Sequence, residues 1–209
     1  MKSSEKSSKQ KRRKLPIAEE RRRREALKDL HTFVEEFWPE VEPKTFVSGW
    51  HIVAICLHLM AVTFGSIKRL LINVPPRHCK SLLVSVFWPA WEFARGDRNG
   101  WLFVSGGKDL STRDSVKFRR IIESDKFKRW FPDCIPTIDQ NTKTKIDFNG
   151  GGFREATSTG SKVTGKGGDR IVIDDMHDAR AGDDEILRDV TWRREVLTTR
   201  ENDPEETAW

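Results

Sequence analysis

From Ala18 to Phe37 the apolar residues Ala26, Leu27, Leu30, Phe33, Val34 and Phe37 recur at helical spacing, and Pro39 stops the run. This pattern predicts an amphipathic helix with a very basic first half. A second helix is expected from Ser48 to Thr63, with Trp50, Val53, Ala54, Leu57 and Met60 or Ala61 on its inward face and Gly65 ending it. "KRLLINV" (68–74) is a continuous apolar run before a turn, the pattern of a strand buried on both faces, and "SLLVSVFWPAWEFA" (81–94) after it is helical in character. "GWLFVSG" (100–106) predicts another buried strand, followed by a helix from Lys108 to Ser124. "TKIDF" and "GFREATS", parted by "NGGG", read as a hairpin; "DRIVIDD" (169–175) reads as a third buried strand, and a polar helix follows from about Asp183 to Arg200. Strands alternating with helices define the expected class, an α/β domain with a mostly parallel sheet flanked by helices.

Charge changes the picture at one end only. The chain has 209 residues and a formal charge of +6, yet residues 1 to 24 hold eleven Lys/Arg against three Glu, which leaves about −2 for the rest. "MKSSEKSSKQKRRK" is polar and lacks apolar residues, so residues 1–17 are expected to form a disordered basic arm, 18–47 a helical segment and 48–209 the main domain. Such an arm could bind DNA by counterion release or serve only solubility. The most apolar window, "WHIVAICLHLMAVTF" (50–64), is too short to span a bilayer and there is no signal-like apolar region. Cys56, Cys79 and Cys134 are odd in number and far apart, which suggests neither a disulfide framework nor a zinc site. A cytoplasmic protein is expected.

Two stretches carry candidate chemistry. A phosphate-binding loop needs a preceding strand, backbone N–H groups turned to the phosphates, a Lys for their oxygens and a Ser/Thr for Mg²⁺ at the start of a helix. "VPPRHCKS" (74–81) offers Lys80 and Ser81 in that setting, with Pro76, Arg77, His78 and Cys79 completing the loop; Cys79 stands where such loops place glycine. A solvated loop is the plain alternative. The second stretch, "RIVIDDMHD", places Asp174 and Asp175 at the end of an apolar strand, where adjacent carboxylates repel unless a cation or a reacting proton is near. Asp174 would be the metal-side acid and Asp175 the base; a helix-capping acidic turn is the alternative. The glycines of "TGKGGD" (164–169) could approach a ligand or form a flexible loop. Arg113, Lys117, Arg119 and Arg120 could touch phosphates or line a solvated helix face, and His51, His58, His78 and His177 receive no role.

With those residues in view, "NVPPRHCKSLLVSVFWPAWEFARG", "WLFVSGGKDLSTRDSVKFRRIIESDKF", "DQNTKTKIDF", "GGFREATSTGSKVTGKGGDRIVIDDMHD" and "EVLTTRENDP" together resemble the N-terminal ATPase of the large terminase subunit of tailed bacteriophages, over roughly residues 40 to 205. The resemblance implies an ASCE-type P-loop fold, truncated at the C-terminus and without the family's nuclease domain. Pro75, Pro76, Arg77, Lys80 and Ser81 match the family's deviant Walker A, and Asp174 and Asp175 its Walker B pair. It further implies ATP and Mg²⁺ as cofactors, double-stranded DNA as the moved substrate, a portal protein and a small terminase subunit as partners, and a homo-oligomeric ring in a bacterial host cytoplasm. The rival expectation is a catalytically dead remnant that binds nucleic acid at most.

Overall fold

The computed structural model describes residues 15–106, 108–137, 142, 144–161, 167–176 and 181–209. Most of the basic arm, His177 and residues 164–166 of "TGKGGD" lie outside them. The chain is an α/β protein with a four-stranded, mostly parallel mixed sheet in the order β2-β3-β1-β4. Here β1 is Gly100–Ser105, β2 Lys145–Asp147, β3 Phe153–Ser158 and β4 Arg170–Asp174. β1 runs parallel to both β3 and β4, while β2 and β3 form the expected antiparallel hairpin. β1 is buried along its whole length, as its continuous apolar run requires.

Helices cover the sheet. The first predicted helix is two, α1 (Ile17–Lys28) and α2 (Leu30–Phe37), because Asp29 leaves the helical conformation and its carboxylate accepts the Thr32 N–H at 2.7 Å. Of the side chains expected inside, Ala26, Leu30, Phe33, Val34 and Phe37 are fully buried and Leu27 is partly buried. α3 (Trp50–Thr63) has the expected span but the opposite face turned inward. Ile52, Ile55, Cys56, Leu59 and Val62 are buried, whereas Trp50 is 84% and Leu57 57% exposed. This helix is apolar all round, so spacing alone does not choose the buried side. Among the described residues no helix is long and apolar enough to cross a membrane. Cys56, Cys79 and Cys134 are free thiols.

The predicted strand at 68–74 does not form a strand and stays outside the sheet. Its first residues pair instead with the end of the chain: Trp209 N–H donates to Lys68 O at 2.9 Å, and Trp209 O accepts from Leu70 N–H at 3.0 Å. Ala208 in turn bridges Arg170 of β4 in parallel. Beyond that point no backbone hydrogen bond joins 71–74 to β4, and a cavity of about 190 Å³ lined by Leu70, Ile72, Val84, Trp88, Ile171 and Ile173 separates them. An apolar run is the same whether its neighbour is a strand or a cavity wall, which is why the sequence pattern does not distinguish them.

After the loop comes one continuous helical rod: α4 (Lys80–Leu82), a π turn (Leu83–Phe87) and α5 (Trp88–Arg95). Pro89 has no N–H to return to the Ser85 carbonyl four residues back, and its ring crowds that carbonyl, so the helix widens. The widening changes the direction of the ends. Lys80 and Glu92 would lie about 120° apart at about 100° per residue in a regular helix. A π turn absorbs one residue and brings them within about 20°. Both then reach β4.

Glu92 is fully buried. Its carboxylate accepts from Thr63 Oγ1 at 2.7 Å, from Asn99 Nδ2 at 2.6 Å and from Arg170 Nε at 3.3 Å. Trp88 Nε1 donates to the same Thr63 hydroxyl at 2.8 Å. The network ties the end of α3, the rod, the loop before β1 and the start of β4. The remaining helices, α6 (Lys108–Glu123), α7 (Asp125–Trp130) and α8 (Asp183–Trp192), complete the layers.

Burial pushes the Glu92 carboxyl above its ordinary range, and the Arg170 charge only partly offsets this. A raised folded-state value favours the protonated form, so its stabilising contribution is full below about pH 4.5 and is lost as pH rises through the raised value. Glu92→Gln cannot ionise. Its urea midpoint, relative to the parent, is expected to rise as pH increases above about 4.5; a difference that stays constant with pH would contradict the assignment.

Candidate phosphate-binding site

The loop between residues 68–74 and α4 is held in an uncommon shape. Arg77 and Cys79 have φ of 69° and 63°, and Asp175, after β4, has φ of 45°. These are the non-glycine residues with positive φ among the described residues, and they sit at the two halves of one site. Each left-handed residue costs about 1–2 kcal/mol, and such strain gathers at functional sites. The Cys79 side chain is half-buried and packs against the main apolar core, with Glu42 and Lys117 as its nearest charges. The His78 ring binds back on the loop, Nδ1–H donating to Pro75 O at 3.1 Å and Pro76 O at 3.0 Å. His51 stacks edge-on against it at 5.3 Å. His78 is thus a brace of the loop. Pro76 and Arg77 are exposed at its tip.

The structure brings Lys80 to both acids. Its Nζ lies 2.8 Å from Asp174 Oδ1 and 3.3 Å from Asp175 Oδ1. Burial alone would lower the Lys80 pKa, but the hydrogen bond and charge of Asp174, then those of Asp175, raise it above the ordinary lysine value. Asp174 is the more enclosed acid, with its side chain 19% exposed, while the Asp175 carboxylate is 65% exposed and faces solvent. Ser81 begins the rod and lines a narrow cleft of about 20 Å³ together with Asp174, Asp175, Ser105, Arg113 and Asp114. Of the residues singled out in the two sequence stretches, Lys80, Ser81, Asp174 and Asp175 therefore meet at one end of the sheet.

The expected basic stripe of α6 divides, and Asp114, Gly106 and Arg154 are contributors that were not singled out. Arg113 donates to Asp114 at 3.0 Å, and that bond, with the charges of Asp174 and Asp175, raises its pKa. Lys117 of the same helix is engaged by Glu42 and Arg119 by the Thr142 carbonyl, so the basic stripe is not one free surface. Gly106 donates its N–H to Asp175 O at 3.0 Å, and a Cβ there would stand 2.7 Å from Met176 O. Arg154 of β3 is fully buried, which charge in a strand does not announce; the available signal was its alternation with Ala156 and Ser158, both inward. Trp88 and Trp91 are buried in the core.

The arrangement can present a lysine and an exposed arginine to an oxyanion, hold a cation between a hydroxyl and a carboxylate, and offer a second carboxylate to solvent. No protein family and no curated protein matches the chain. The functional reading therefore stands on these residues.

Gly106→Ala is expected to destabilise the protein by roughly 1–3 kcal/mol, because backbone has to give way. The thermal midpoint checks this, and an unchanged midpoint would mean the close approach to Met176 is not kept in solution.

Proposed function

We propose that this chain is a P-loop ATPase of the ASCE type, akin to the motor part of the large terminase subunit, which hydrolyses Mg²⁺-ATP to drive double-stranded DNA into a capsid. The meeting of Lys80 with Asp174 and Asp175 across more than ninety residues of sequence carries the reading. A salt bridge needed only for stability would not call for three strained backbone residues around it. The DNA-packaging part, with a portal protein, a small subunit and a ring of copies as partners, rests on the resemblance.

In this reading Lys80 exchanges its carboxylate partners for β- and γ-phosphate oxygens, and Arg77, exposed at the loop tip, flanks the same charge. The oxygen donors of Ser81 and Asp174 suit Mg²⁺, which takes few protein ligands and completes its shell with phosphate and water. Among the described residues no cluster of three His, Cys, Asp or Glu offers a tighter all-protein cage. When bound, the metal would neutralise charge on the phosphates. Asp175, open to solvent, orients the attacking water and accepts its proton.

Lys80→Ala is expected to weaken ATP binding by at least about a hundredfold. Asp175→Asn should bind ATP like the parent and turn over at least about a hundredfold more slowly. Calorimetric titration and phosphate release separate the two effects, and parent-rate hydrolysis by Asp175→Asn would remove the base assignment. The dead-remnant reading is tested at Cys79. Because its side chain packs on the core, Cys79→Gly should change ATP affinity by no more than about tenfold, the worth of one left-handed residue. Binding seen only in the glycine variant would favour the remnant.

A further inference from the structure

Among the described residues no carboxylate is bonded to Arg154, although a buried unpaired charge costs several kcal/mol. Burial lowers its pKa to about 9, with the Asp114 charge opposing, so it stays charged at neutral pH. Its Nη2 donates to the Ser85 carbonyl at 3.1 Å, while Nε and Nη1 make no hydrogen bond among the described residues. The guanidinium lies 4.2 Å from the Phe103 ring centre and 5.1 Å from that of Phe118. An apolar residue of similar volume would fill this place at less cost. What it would not supply is a donor for Ser85 O, the carbonyl whose helical partner would be the missing N–H of Pro89.

We infer that Arg154 is a positioning residue for the phosphate site: it replaces the helix donor that Pro89 lacks, and by holding the Ser85 carbonyl it fixes the π turn that sets the direction of Lys80 and Ser81. The inference rests on the ATPase reading for its functional consequence, though not for the contact itself. The chain of connection is short. Ser85 lies one turn along the rod from Ser81, and both line the cleft that also holds Arg154, Asp174 and Asp175. β3, through Arg154, thus grips the rod next to the loop, where β4 grips it only through the Lys80 ion pair.

The test is a double-mutant cycle of Arg154→Met and Pro89→Ala in the full chain. Arg154→Met should raise the KM for ATP about tenfold with a smaller fall in kcat, and should speed amide exchange at Phe87 and Trp88 about tenfold. Pro89→Ala alone should change little. In the double variant the restored N–H at position 89 serves Ser85 O, so the faster exchange should shrink to about threefold or less, while KM stays raised because nothing then holds the π turn. Arg154→Lys, which keeps the charge without the planar fork, should fall between parent and Met. A space-filling role would lower the unfolding midpoint of Arg154→Met without moving KM and without rescue by Pro89→Ala. Effects on exchange at 89 and 154 that simply multiply would overturn the inference. Exchange is read without nucleotide, so a parent that fails to bind ATP would overturn the ATPase reading while the exchange cycle still decides the pairing.

Discussion

The structure depends on a double clamp between the helical rod and β4. At one end Lys80 meets Asp174, and at the other Glu92 meets Arg170. Main-chain pairing gives no help there, since no backbone hydrogen bond joins residues 71–74, which lead into the rod, to β4. Side-chain charge therefore carries a connection that sheets normally make with backbone. The two clamps differ in setting. Glu92 is sealed from water and accepts hydrogen bonds from Thr63, Asn99 and Arg170, so no solvent competes for that joint. Lys80 and its acids are partly open, where water and ions weaken the pair and a competing anion can take the lysine. A firm joint far from the loop and a loose one at the loop give a site whose scaffold stays fixed while its cation is free to change partners.

Much of this plan is legible in the sequence because the elements that build it have unambiguous patterns. β1 and β4 are continuous apolar runs of strand length, and the hairpin is marked by its glycines. The convergence of Lys80 with the twin aspartates was expected with both motifs at the ends of buried strands, and it holds although 68–74 is neither buried nor in the sheet. What failed has a common cause, that local pattern does not name a partner. Segment 68–74 has the composition of a strand and no β4 neighbour. α3 is apolar on every face, so its inward side was set by what packs on it. The break at Asp29 was written as an acid three residues before Thr32, a cap signal that the stronger helical periodicity masked. Arg154, Asp114 and Gly106 matter through contacts made only after folding.

Strain is distributed in a telling way. Among the described residues, the non-glycine residues in left-handed conformation are two in the loop and one after β4. Cys79 adopts the conformation a glycine would take more cheaply, and turns its thiol to the core, away from the loop's open side. The anchor for Asp175 is a backbone contact with Gly106, which leaves no room for a side chain. The acids are thus aimed by main chain, which is stiffer than any side-chain brace.

The π turn also marks where the chain can tolerate a change of length. Deleting one residue between Leu83 and Phe87, together with a replacement of Pro89, would turn the rod into a regular helix of eleven steps between Lys80 and Glu92, and eleven steps are close to three full turns. Both clamps would keep their bearing on β4. A one-residue insertion at the same place would rotate them apart by about 100°. Relatives that differ in length here are thus expected to be shorter by one, and to have lost the proline together with the residue.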